Sequence, residues 1–113
     1  MVTHGPDEPE LATIPFVMAG AALASDVAVV MGFQGDAVRL MAAGVAEGIA
    51  APEFQPLAKL LGDVRDLGAV LLVCSPCLKS RGIAAADLVD GAEIVAAGRF
   101  IAEITSATNT LTY

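Results

Sequence analysis

Five consecutive apolar residues, Ala69-Val70-Leu71-Leu72-Val73, run between Gly68 and the string Cys74-Ser75-Pro76-Cys77. A strand with one wet face alternates polar and apolar residues, whereas a strand covered on both faces does not. The run is therefore read as a central strand of a sheet with layers on each side. Its neighbours extend that pattern. Pro56 opens a helix to Leu67, with Leu57, Leu60, Leu61, Val64 and Leu67 at helical spacing and Gly68 as its stop. Beyond the strand, Pro76 to Arg81 reads as a short helix followed by Gly82.

The rest of the chain repeats the alternation. Met1 to His4 is a clipped first strand ending at the Gly5-Pro6-Asp7-Glu8-Pro9 turn, and Glu10 to about Ser25 is a helix with Pro15 in its first turns. Val27 to Met31 reads as a strand and Gly32 to Gly35 as a loop. Asp36 then caps a short helix through about Ala43, which Gly44 ends. Further on come a helical turn at Ala84 to Leu88, a strand at Ala92 to Val95, a helix from Gly98 to about Ala107 and an edge strand at Thr110 to Tyr113. Strands alternating with helices specify an α/β layered fold with a mainly parallel sheet. No repeat, linker or low-complexity tract divides residues 1–113, so they are read as a single domain.

Composition narrows the function classes. Hydrophobic residues make up 56% of the chain and charged residues 17%, which excludes a disordered, solvating polymer. The net charge is −7, with Lys plus Arg at 6 against Asp plus Glu at 13, so direct nucleic-acid binding through a phosphate-gripping surface is not expected. Leu11 to Gly35 is long enough to span a bilayer, but Asp26, Pro15 and three glycines oppose that reading. The start carries His4, Asp7, Glu8 and Glu10 in place of a basic secretory leader. These features predict a soluble, cytoplasmic protein with no membrane partner. The apolar excess predicts burial between subunits, hence an oligomer.

The chemistry concentrates at Cys74-Ser75-Pro76-Cys77, where the buried strand gives way to a helix. In open α/β sheets that carboxyl edge is where ligands bind. A helix start and neighbouring cations favour a thiolate, and Lys79 and Arg81, two of six cationic residues, lie within seven positions of Cys74. Cys77, about one turn on, is within reach as a resolving thiol. The bland alternative is a pair of inert buried cysteines. A closed zinc site needs four ligands, and two Cys with one His do not supply them. No metal or other cofactor is expected. His4, at the carboxyl end of the first strand, is placed on the same edge, either tuning a thiol or as an unordered terminal side chain. The Gly32-Phe33-Gln34-Gly35-Asp36 loop brings Gln34 there too, while Asp87, Asp90 and Glu93 read as a solvated face.

Several strings together resemble the DsrE/DsrF-like family of sulfur-handling proteins. They are Thr3-His4-Gly5-Pro6-Asp7 with Pro15-Phe16, Gly44-Val45-Ala46-Glu47-Gly48, Val73 through Ile83, and Gly91-Ala92-Glu93. The resemblance implies a compact domain with a five-stranded sheet, assembled into homo- or hetero-oligomers, commonly trimers or hexamers. Members such as DsrE and TusD, a component of a tRNA-thiolation relay, take sulfane sulfur as a persulfide on one cysteine and pass it to a partner protein. By its place before Arg81-Gly82, Cys74 matches that cysteine. Cys77 is an addition to the TusD-like pattern, and supplies either a resolving thiol or half of a redox couple. The expected function is thus a persulfide carrier or sulfurtransferase working between donor and acceptor proteins. The alternatives are a thiol–disulfide oxidoreductase using both cysteines, or a non-catalytic oligomeric binding subunit.

Overall fold

A computed structural model describes all residues, 1–113. The strands are β1 (Val30–Phe33), β2 (Val70–Cys74) and β3 (Ala92–Val95), and the helices are α1 (Pro9–Ala24), α2 (Leu57–Asp66), α3 (Ser75–Ser80) and α4 (Ala97–Ser106). Short 3-10 turns occupy Gly35–Met41, Ala46–Gly48 and Ala85–Asp87. The sheet has the order β1-β2-β3, all parallel, with Val30 opposite Val70 and Leu71 opposite Ala92. As the apolar run predicts, β2 is the central strand, and Leu71, Leu72 and Val73 are almost fully buried.

Helices cover the two sheet faces. On one, Phe33 of β1 meets Phe16 of α1, ring centroids 5.8 Å apart. Pro15 sits inside α1 on its buried side, beside Thr13, whose hydroxyl donates to Pro9 O at 2.6 Å. That bond satisfies a fully buried polar group. On the other face Gly32 makes room for α4. A Cβ there would lie 2.7 Å from Met1 Sδ and 2.9 Å from Phe100 Cε1.

Three expectations need correction. The sheet has three strands rather than five. Val2 forms a single parallel bridge with Phe33, and on its other side Tyr113 N–H donates to Met1 O while Thr3 N–H donates to Tyr113 O. The arm is cut short by the Gly5 turn, where Glu8 N–H bonds back to Gly5 O. It offers each neighbour one bridge, so neither Met1 to His4 nor Thr110 to Tyr113 becomes a strand. Secondly, β1 lies later than Val27 to Met31 and includes Gly32 and Phe33. Asp26, at φ 61, redirects the chain out of α1, and Val27 N–H bonds back to Ala22 O. Pairing with β2 begins at Val30, so register overrides β-branching. Thirdly, the segment after β1 is a 3-10 turn capped at Gln34 without a side-chain bond; Asp36 lies inside it and does not cap it.

No helix is long and apolar enough to cross a membrane. The β3 edge and the outer side of α4 leave apolar side chains open, among them Ile94, Ile101 and Ile104.

Candidate functional site

Three chain segments meet at the carboxyl edge of the sheet. Phe33 leads into Gln34-Gly35-Asp36, β2 ends at Cys74 and opens α3, and the Val2 bridge carries Thr3-His4-Gly5 alongside β1. Both cysteines are free thiols. Cys74 is 8% exposed and belongs to the core, while Cys77, one turn along α3, is part-exposed. Gly35 N–H donates to Cys77 Sγ at 3.3 Å. Gly35 has φ +57, a left-handed conformation that glycine adopts without penalty, and the turn it makes aims this amide at the thiol.

The two thiols are close neighbours, and their interaction splits their acidities. Burial is the main influence pushing the Cys74 thiol up, and its hydrogen bond to Cys77 adds to this; the Cys77 amide and Arg81 oppose it. The same hydrogen bond is the main influence holding Cys77 below the ordinary thiol value, aided by Gly35 N–H and the Arg81 charge against a burial cost. A corner position and nearby cations lead one to expect Cys74 to be the more acidic thiol. Desolvation outweighs them.

Arg81 is the cation that reaches the pair. Its Nη1 donates to Cys77 O at 3.2 Å and to Ser80 Oγ at 3.3 Å, and its Nε lies 3.4 Å from Asp36 Oδ1. Asp36 Oδ2 is also 3.2 Å from Arg39, which reaches Asp7 at 3.3 Å. These half-exposed pairs add little stability, but they fix where the guanidinium points. The chain Asp7–Arg39–Asp36–Arg81 was not singled out in the sequence; only the Gly35-Asp36 loop hinted at it. Gly5 packs directly against Asp36.

The other expected residues sit as follows. Lys79 is exposed in the last turn of α3 and makes no ion pair with an acid. Gln34 is at the edge, but it contributes through its backbone, donating to Val2 O at 3.0 Å. His4 is half-buried, with Nδ1 3.4 Å from Thr3 Oγ1. No three His, Cys, Asp or Glu side chains converge to hold a metal ion. A concavity of about 470 Å³ between α1 and α2 includes none of these residues. The two thiols lie instead at the carboxyl edge of the sheet.

A small α/β domain with parallel strands and a thiol pair at the carboxyl edge defines the class. The sequence profile of the DsrE/DsrF-like family matches residues 1–113, and the chain belongs to that family. It is 38% identical over 55 residues to the uncharacterized protein MJ0989 of Methanocaldococcus jannaschii. That match takes in 49% of this chain and 48% of the relative, so it spans about half the length of each. The crystal structure of the ychN protein from E. coli has the same fold, with a TM-score of 0.70 and 19% identity, over 92% of this chain and 84% of that one.

Proposed function

We propose that the chain is a sulfur-relay protein, which takes sulfane sulfur as a persulfide at the Cys74–Cys77 pair and passes it to an acceptor protein. The observation that carries this reading is the contact between two free thiols on the carboxyl edge, one held by Gly35 N–H and both within the field of Arg81. Loading is a displacement at sulfur. A thiolate attacks the outer sulfur of a protonated donor persulfide, the donor S–S bond breaks, and the donor leaves as its thiolate. Unloading is the same displacement by an acceptor thiolate. Neither step consumes an oxidant, reductant or cofactor. The cytoplasm, where thiols stay reduced, is the compartment this chemistry suits. Exposed Ile94, Ile101 and Ile104 support assembly into a homo-oligomer, a trimer or hexamer by family resemblance.

The test is cyanolysis. Protein loaded with glutathione persulfide and freed of donor should release thiocyanate to cyanide, and the Cys74→Ser/Cys77→Ser double variant should release none. Equal release from both would refute the reading. The thiol–thiol contact also favours a second reading, a thiol–disulfide oxidoreductase. That reading requires a reversible Cys74–Cys77 disulfide with a measurable midpoint potential, lost with either cysteine.

A further inference from the structure

The two thiols face different surroundings, and the difference bears on which one takes the sulfur. Cys74 ends β2 within the core cluster and is 8% exposed. A donor persulfide carried on another protein has little of that sulfur to approach. Cys77 lies one turn further out, part-exposed, with the Gly35 amide on its sulfur at 3.3 Å and the Arg81 guanidinium anchored on its carbonyl at 3.2 Å. Displacement at sulfur needs a thiolate that the donor can reach. Cys77 meets both requirements, while position before Arg81-Gly82 alone points to Cys74.

Resting on the persulfide-carrier reading above, we propose that Cys77, and not the more deeply buried Cys74, is the thiol that accepts the sulfane sulfur. In the step itself, Cys77 thiolate attacks the outer sulfur of a donor R–S–SH. The donor S–S bond breaks, a Cys77 S–S bond forms, and R–S⁻ leaves with the bonding pair. The product is Cys77–S–SH, so charge and protons balance. Gly35 N–H and Arg81 stabilise the anionic sulfur before attack and the persulfide anion after deprotonation.

The deciding experiment maps reactivity in the reduced wild-type protein. Limiting iodoacetamide at neutral pH, with sites located by fragment-ion sequencing of the peptide that holds both cysteines, should modify Cys77 about tenfold or more faster than Cys74. Equal rates or the reverse order would overturn the assignment. After glutathione persulfide loading, Cys74→Ser should still release thiocyanate and Cys77→Ser should release about tenfold less; the opposite pattern would overturn the proposal. If wild type itself fails to load, the carrier reading falls, and the alkylation order still decides which thiol is the nucleophile.

Discussion

Replacing Gly5 by alanine tests how the amino-terminal arm supports the thiol site. A Cβ on Gly5 would lie 2.2 Å from Asp36 Oδ2 and 2.6 Å from Asp36 O. The carboxylate can rotate away, but the carbonyl is backbone and moves only if one of the two segments shifts. Overpacking of this kind costs about 1–3 kcal/mol. Against it stands the lower entropy of the unfolded alanine chain, about 0.4–1 kcal/mol in favour of folding. At the middle of both ranges the overlap wins, leaving a net loss of about 1.3 kcal/mol. For 113 residues the unfolding entropy makes each kcal/mol worth about 4 °C, so Tm should fall by about 5 °C. Gly20→Ala is the matched control, since a Cβ there meets nothing within 4 Å and Gly20 lies inside α1. That variant gains helix propensity and should be stabilised by about 1 kcal/mol. Thermal melts of both, with urea midpoints as a check, give the answer. A Gly5→Ala protein as stable as wild type would refute the close approach of the arm to Asp36.

Arg81→Gln removes the cation that favours both thiolates and should slow Cys77 alkylation at neutral pH about two- to fivefold; an unchanged rate would show that its charge does not reach the sulfur. In wild type, Cys77 alkylation should persist to lower pH than for an ordinary thiol, because the group stays ionised until pH falls through its depressed midpoint, while Cys74 should react only at higher pH. Stopped-flow alkylation across pH reads both, and one shared midpoint at the ordinary value would contradict the split. Ile101→Glu places a charge on the open apolar side of α4 and should shift an oligomer towards smaller species in light scattering, whereas an unchanged mass would exclude that face from the interface.

The parts of the fold legible in the sequence are those fixed by local pattern. The β2 run, the α2 leucine spacing and the Cys-Ser-Pro-Cys corner each carry their own signal, and all three stand where expected. The strand β1 slid by a few residues because Gly32 reads as a loop residue until Met1 and Phe100 are seen to fill the space above it. The expected first and last strands, Met1 to His4 and Thr110 to Tyr113, failed because the arm between β1 and Tyr113 is too short for more than a single bridge to Phe33. At the site, both cysteines and Arg81 come together on one edge, but the order of the thiols was hidden. It depends on the burial of Cys74 and on an amide 42 residues from Cys77 in the chain, neither of which a spacing pattern encodes. Asp36 was misread as a cap because its charge is spent on Arg39 and Arg81, partners distributed by the fold.

The most direct measurement is intact-protein mass spectrometry after incubation with glutathione persulfide, on wild type and on the variant lacking both thiols. The account predicts a gain of one sulfur atom on wild type, removed by reduction and absent from the variant. A loss of two hydrogens with no sulfur gained, or an equal gain on the variant without cysteines, would contradict it.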